Sequence, residues 1–493
     1  MKIFKLLISF IESTSSLALI AFILFLQIAV HVRYLNLPPI GFHQWRQTQT
    51  LSVARNFSEE SMNFFLPRVD NRGAETGITG LEFPIVNYTI ALGYRLFGFS
   101  HLLGRLVIML YSCLALMACF FFIRTMFRSQ VLAFFGTFFL IFSPLFCYYS
   151  INVLPDIPSL AFIFLTLYAI LKYEDSNQLQ YFCLLCIALI IAALIKISAF
   201  VLLPFLLLKL TRNRYSRSQI TLHLEGIALV VVIVGVWYFY ARYLSNTYHN
   251  FDFRLNSNFP YDPYVAFSVL KKVFIQWLPE LYINYAQFIL FCVGIYYLRR
   301  INNKTVQYFL LFYTLGYLAY MAVFLPMFQI HDYYAIPAIP LLIVLVTSGF
   351  QWMLEQSETR LWAGRLTILL LMLVPVLGSV RALSRFEGAE KPWDLFTIEN
   401  HLNMVLPNKQ ILIIAAGDDS PSIYLYFMHR KGWAVGDKIS EDQLLEMLQK
   451  GAAYLISSSR SLESTAEIKK HLSFVSTYGT FRIFALPETT HKQ

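Results

Sequence analysis

Between Thr14 and about Leu383 the chain returns repeatedly to apolar runs long enough to cross a hydrocarbon core of roughly 30 Å, bounded by charged or Pro-rich breaks. No water-soluble core has use for so many. The composition agrees: 57% hydrophobic, 17% aromatic and only 14% charged residues, against about 45–50% apolar and 25% charged in soluble proteins. The chain therefore reads as a polytopic membrane protein. Its net charge of +10 is first a matter of topology and only weakly a sign of acidic partners, and no nucleic-acid partner is expected. The first run, Leu17 to Val32, follows only Lys2 and Lys5 and ends in no small-residue cleavage site. It is expected to be a retained span with a cytoplasmic N-terminus.

All six cysteines (Cys113, Cys119, Cys147, Cys183, Cys186, Cys292) fall in or at the ends of apolar runs, where a thiol acts as a small hydrophobe, and no disulfide is expected. The C-x-x-C at Cys183 and Cys186 lies in YFCLLCIALII, without the polar surroundings or further ligands that a zinc or redox site needs.

Residues 83–99, FPIVNYTIALGYRLFGF, decide the parity of every later loop. The segment is short for a span and carries Asn87, Thr89 and Arg95, so it reads as a helix lying in the interface. On that reading Arg124, Arg128, Lys172, Arg212, Arg214, Arg217, Arg299, Arg300, Lys304, Arg360 and Arg365 collect in cytoplasmic turns, as basic residues in short loops should. The outward turns 148–156 and 326–334 hold none, although Lys196 and the loop 242–280, with Arg242, Arg254, Lys271 and Lys272, add no support. The expected fold is all-α with about eleven transmembrane helices, near 14–33, 102–123, 130–148, 158–172, 180–195, 198–211, 222–241, 282–298, 306–325, 335–354 and 366–383. Residues 1–383 form the membrane domain, with juxtamembrane helices in an outer loop 34–101.

Residues 384–493 change character. ILIIAAG (411–417), SPSIYLYFMHRKG (420–432), EDQLLEMLQKG (441–451), AAYLISSS (452–459) and FRIFALP (481–487) alternate strand and helix signals, as a small α/β domain on the outer face would. The turn Gly417-Asp418-Asp419-Ser420 has one glycine and two carboxylates, the opposite of a phosphate cradle, so nucleotide binding is rejected there in favour of structural or acceptor-positioning work.

The unusual polar residues gather on one side of this plan. The first outer loop, beginning GFHQWRQTQT, supplies His43, Gln44, Arg46, Gln47, Arg55, Arg68, Asp70, Arg72 and Glu82; later outward turns supply Asn152 and Asp156, then His331, Asp332, Tyr333 and Tyr334. Each has a plainer reading. Arg55 and Arg68 can snorkel to lipid phosphates, Asp156 can cap a helix with Pro158 in its first turn, and Tyr333 and Tyr334 can belong to an aromatic belt. His43 and His331 can be satisfied interfacial histidines.

The order of Ala-Arg-Asn-Phe (54–57), Phe-Pro (83–84) before YTIALGYRLFG (88–98), Leu-Pro-Asp (154–156) and His-Asp-Tyr-Tyr (331–334) resembles the GT-C integral-membrane glycosyltransferases. It is most similar to the branch of protein O-mannosyltransferases and lipid A aminoarabinose transferases, over roughly residues 1–350. The resemblance implies a polyprenyl-phosphate-linked sugar donor, an acceptor hydroxyl on an envelope glycan, lipid or protein, and transfer at the outer face of the plasma membrane, the inner membrane of a bacterium. Such a transfer needs a carboxylate for the hydroxyl and cations for the departing phosphate. Asp156 stands where the family carries an acid, and Asp70 is the reserve.

The chain also departs from the pattern. The family's acidic pair before the arginine matching Arg55 is replaced by Arg46 and Gln47, and Glu82 stands where many members have a basic residue. On one reading the roles have moved: Asp156, Asp70 or Glu82 supplies the carboxylate, Arg46 and Arg55 the phosphate contacts, and His43, Gln44, Gln47, His331, Tyr333 and Tyr334 line the substrate. On the other the chain is a non-catalytic transporter or assembly partner for lipid-linked glycans, for which only Lys196 and Glu225 lie suitably deep. No D-x-D occurs in the outer loops, which argues against a nucleotide-sugar donor. A divalent metal stays open, with Asp70, Asp156, His43 and His331 as its candidate ligands.

Overall fold

The computed structural model describes residues 2–210, 216–250 and 262–487. Arg212, Arg214 and Arg254 lie outside them. The chain divides into two compact units: Met1–Leu35, Arg105–Trp237 and Asn256–Gly388 form one, and Asn36–Gly104, Tyr238–Leu255 and Ala389–Gln493 the other. The expected boundary at residue 383 placed the first loop with the membrane helices and left the tail alone. Instead the loop and the tail share a unit.

Among the described residues, seven helical segments are long and apolar enough to cross a membrane unaided: Ser16–Tyr34, His101–Phe127, Asp156–Ser176, Arg217–Thr247, Lys304–Gln329, Asp332–Thr359 and Leu361–Glu387. Pro263–Tyr282 and Tyr285–Tyr297 make a further candidate bent by 117°, and Gln130–Ile141, Leu179–Ile195 and Ile197–Leu207 are apolar but shorter. Every expected position carries helix, yet four are not simple straight spans. The reasons are local. Pro144 lacks an N–H and begins a new helix, Pro144–Tyr149, whose N-cap Ser143 accepts from Phe146, so the stretch 130–148 is broken in two. Lys196 is extended (φ −149°, ψ 124°) and separates Leu179–Ile195 from the 3-10 turn Ile197–Leu202. At the bend, Asn284 and Gln287 form a reciprocal capping box, and the amide of Asn284 also donates to the carbonyls of Phe142 and Val374.

Close helix contact depends on small residues, as is usual between membrane helices. A Cβ on Gly294 would lie 2.1 Å from the Leu345 carbonyl oxygen, and one on Gly349 would lie 1.9 Å from that of Leu290. Helices Tyr285–Tyr297 and Ile339–Thr359 therefore meet backbone to backbone. A short amphipathic helix, Lys2–Ser13, precedes the first span, with Phe4 and Ile11 buried and Leu6, Leu7 and Phe10 exposed.

In the second unit the first loop forms helices Gln44–Glu59 and Ile85–Phe97. The latter, at 13 residues, is about 20 Å long, too short to cross by itself. It exposes Leu92, Leu96 and Phe97 and packs Tyr88 edge-on against Phe57, their ring centroids 5.5 Å apart. The tail folds as a five-stranded sheet of order β2-β1-β3-β5-β4, with β1 Ile413–Ala416, β2 Gly432–Val435, β3 Tyr454–Ser457, β4 Ser473–Tyr478 and β5 Phe481–Ala485. Strands β1, β2 and β3 are parallel and β5 is antiparallel to both its neighbours. The edge of β2 is covered by the first loop: the N–H groups of Arg72 and Gly73 donate to the Gly432 carbonyl, and the Gly432 N–H donates to that of Asp70.

Candidate active site

In the first unit Asp156 is paired with Lys196, which in turn lies over Tyr333. Asp156 is the first residue of helix Asp156–Ser176, and Pro155 holds the N-cap position, so the side chain does not cap. A carboxylate there is favoured by the partial positive charge of the helix N-terminus. Lys196, raised to prominence by the helix break, places its Nζ 3.7 Å from Asp156 Oδ1, an ion pair longer than a hydrogen bond, with side-chain exposures of 15% and 8%. The same ammonium lies 5.6 Å from the Tyr333 ring centroid, within cation–π reach. His331 stacks on Tyr333 and Tyr334, with centroids 5.2 and 5.9 Å away. Between them Asp332 is tied to the fold: it accepts from the Tyr149 hydroxyl and pairs with Arg385 at 2.6 Å. The turn 331–334 is thus held by its buried acid.

In the second unit Arg46 lies near the start of helix Gln44–Glu59 and is buried. Its guanidinium holds both oxygens of Glu82 at 2.8 Å and the side-chain oxygen of Gln49 at 2.7 Å. Glu82 therefore neutralises Arg46. His43 precedes the helix in the left-handed region (φ 58°), and the Gln44 and Gln47 amides donate to the carbonyls of Pro39 and Ile40, fastening the helix to the segment before it.

Arg55 and Asp70, expected as phosphate ligand and reserve base, are spent on each other. Both are essentially excluded from solvent, 3.2 Å apart. Asp70 also accepts from Asn56 and Lys431, and Arg55 donates to the Tyr426 carbonyl while lying 4.8 Å from that residue's ring centroid. Burial opposes a charge on Asp70, yet Lys431 and Arg55 hold its carboxyl well below the usual carboxylate range. A base so firmly ionised has little basicity to offer, so the geometry gives this pair to the fold. Among the described residues no three His, Cys, Asp or Glu side chains gather as a metal site, so the candidate set Asp70, Asp156, His43 and His331 is not assembled. Sequence reasoning missed the partnership of Lys196 with Asp156, for which the one signal was a lysine inside an apolar run.

A profile of the family described as dolichyl-phosphate-mannose-protein mannosyltransferase matches residues 82–239. No curated protein is significantly similar in sequence. Solved structures are more informative. ArnT from Cupriavidus metallidurans in the apo state superposes with a TM-score of 0.68 at 16% identity, covering 95% of this chain and 98% of that one. The same protein bound to undecaprenyl phosphate gives 0.66 at 13% identity, covering 96% and 98%. The oligosaccharyltransferase AglB from Archaeoglobus fulgidus, in complex with an inhibitory peptide and a dolichol-phosphate, gives 0.58 at 11% identity, covering 96% and 74%. The chain has the GT-C glycosyltransferase fold. Within this GT-C fold the profile match takes in Glu82, Asp156 and Lys196 and leaves Arg46, Arg55 and the turn 331–334 outside it. The GT-C likeness, by contrast, extends through the tail, beyond the span of the motif resemblance.

Proposed function

We propose that this chain moves a sugar from a polyprenyl-phosphate donor to an acceptor hydroxyl at the outer face of the plasma membrane. The observation that carries the reading is Asp156 at a helix N-terminus with Lys196 beside it, on a fold whose relatives have been seen with undecaprenyl phosphate and dolichol-phosphate. In the reaction the Asp156 carboxylate takes the proton of the attacking hydroxyl, and the bond from the anomeric carbon to the phosphate breaks as the new glycosidic bond forms. Lys196 stabilises the negative charge that collects on the departing phosphate. The stacked His331, Tyr333 and Tyr334 form a wall against which a sugar ring or prenyl chain can lie. Arg46, oriented by Glu82, and His43 at the helix start belong to the second unit, and their contacts with the donor phosphate and sugar are a separate proposal.

Purified protein incubated with radiolabelled undecaprenyl-phosphate sugars and whole-envelope acceptors should transfer label, and Asp156→Asn should not. Binding of the donor without turnover in the wild type would instead support a transporter or assembly partner, the reading that the absent acidic pair before Arg55 favours.

A further inference from the structure

Beside the covered edge of β2 the second unit holds an open cavity of about 240 Å³, lined in part by Asn71, Arg72, Tyr248, Trp433 and Lys450. It lies below the roughly 300–1,000 Å³ of drug-sized ligand sites, which suits one six-membered ring and not a nucleotide or a peptide. Its two cations are already answered: Arg72 is held by Glu60 at 2.9 and 2.5 Å, and Lys450 by Glu446 at 2.6 Å. With Glu75 and His249 also on the lining, the space makes no strong demand for an anion. The lining also offers neutral hydrogen-bonding capacity. Asn71 Oδ1 accepts from the Ala434 N–H at 3.1 Å, which leaves its amide hydrogens without an acceptor among the described residues. The Trp433 indole N–H and the Tyr248 hydroxyl likewise have no partner among them.

These groups are held in place before any ligand arrives. Trp433 sits on β2 in register with Ile414, and Asn71 bridges to Gly432. Gly73 has φ +57°, and a Cβ there would lie 2.8 Å from the indole Nε1, so only glycine lets the loop lie against this ring. A fixed indole, a phenol and a planar amide offering donors around a one-ring space match a molecule with an apolar face and a rim of hydroxyls. We propose that this cavity is a saccharide subsite holding one neutral pyranose unit of the acceptor glycan. Its assignment to the acceptor rests on the transfer reading above; its ability to bind a sugar does not.

Saturation-transfer NMR on the detergent-purified full chain, with the methyl pyranosides of glucose, mannose, galactose and N-acetylglucosamine as probes, tests it. At least one should bind, and Tyr248→Phe and Trp433→Phe should each weaken it by roughly 5–10-fold, the loss of one hydrogen bond. Tyr248→Phe keeps its ring and tests the hydroxyl alone, whereas Trp433→Phe keeps an aromatic side chain but also gives up part of the indole's packing against Gly73. They should also raise KM for a glycan acceptor while leaving KM for the donor unchanged. No binding by any probe, binding indifferent to both variants, or an unchanged acceptor KM would each overturn the proposal. Asp156→Asn keeps the two readings apart: it should retain saccharide binding and lose transfer, and if it retains transfer only the catalytic reading fails.

Discussion

Asp156 and Lys196 are both largely buried, which makes the pair a test of whether charge here serves the fold or the chemistry. Removing one partner of a buried ion pair costs roughly 3–5 kcal/mol in the fully buried limit, and less at this residual exposure. A purely structural pair would therefore regain both stability and turnover in the double variant Asp156→Asn with Lys196→Met. If the residues act on hydroxyl and phosphate, the double variant regains melting temperature but stays inactive, and Asp156→Asn alone lowers turnover by about 10²–10⁴-fold. Thermal unfolding and a steady-state transfer assay on the three variants separate the cases. Arg46 gives a second test. Its planar guanidinium holds Glu82 through Nη2 and Gln49 through Nη1, and a lysine offers one compact charge, so Arg46→Lys should lower turnover by more than it raises KM for the donor. Wild-type turnover in that variant would remove Arg46 from the site. Asp156 was legible in the sequence because it stands in an outward turn where the resembled family carries an acid. Lys196 was not, because nothing local says that a break in one helix meets the start of another.

The juxtamembrane helix Gln44–Glu59 is joined to the tail by a row of side-chain bonds. Along its length Trp45 and Thr48 bond to Ser422, Arg55 to Tyr426, Asn56 to Lys431 and Glu59 to His429. At the centre one carboxylate, Asp70, serves two cations, Arg55 and Lys431. Lys431→Met leaves a balanced pair and should cost about 1 kcal/mol, whereas Asp70→Asn leaves two buried cations and should cost about 3–5 kcal/mol. Equal losses of stability in thermal unfolding would refute this division. At the far end the ring nitrogens of His429 lie 2.6 Å from Glu399 and 2.9 Å from Glu59. Burial opposes charge on both acids, but bonds from His429, and from Lys409 to Glu399, pull Glu399 down to about 2 and Glu59 below its ordinary value of 4.5. Depressed carboxyls stabilise the fold above their unfolded values, so this contribution is full above about 4.5 and is lost as the pH falls toward 2. Melting temperature should decline across that window, and Glu399→Gln should flatten the decline. The strands β1, β3 and β5 were visible as apolar runs. Strands β2 and β4 were missed because GWAV is short and SFVSTY is largely exposed, and the joint unit was missed because it depends on pairs hundreds of residues apart.

For the whole molecule the shared unit constrains the path of the chain, because a loop and a tail that fold together must lie on one side of the membrane. An even number of crossings must then separate Gly104 from Ala389. The six unaided spans after the first, with the bent pair as a seventh, make an odd number, so an odd number of the three shorter apolar helices must also cross. Contacts within the first unit show which. Arg128 lies 3.8 Å from Asp175, the Asn303 amide donates to the Met126 carbonyl at 2.8 Å, and the Gln219 amide donates to Asn177 at 2.8 Å. The chain positions near 128, 176, 219 and 303 therefore share one end of the bundle. Helix His101–Phe127 arrives at that end and Asp156–Ser176 arrives there too, so the broken stretch 130–149 must return across between them. Leu179–Ile195 and Ile197–Leu207 leave and rejoin the same end as a hairpin, which makes all three cross and gives ten crossings between Gly104 and Ala389, eleven with the first span. The shared end also carries Arg124, Arg128, Lys172, Arg217 and Lys304, the basic residues expected to stay in the cytoplasm. In a cysteine-free background an impermeant thiol reagent applied outside should label cysteines placed at the exposed positions Glu75 and Asp419, and should not reach one at Arg128. Labelling at position 128, or protection at 75 and 419 together, would invert the chain in the membrane and move Asp156 to the wrong side for a donor presented at the outer face.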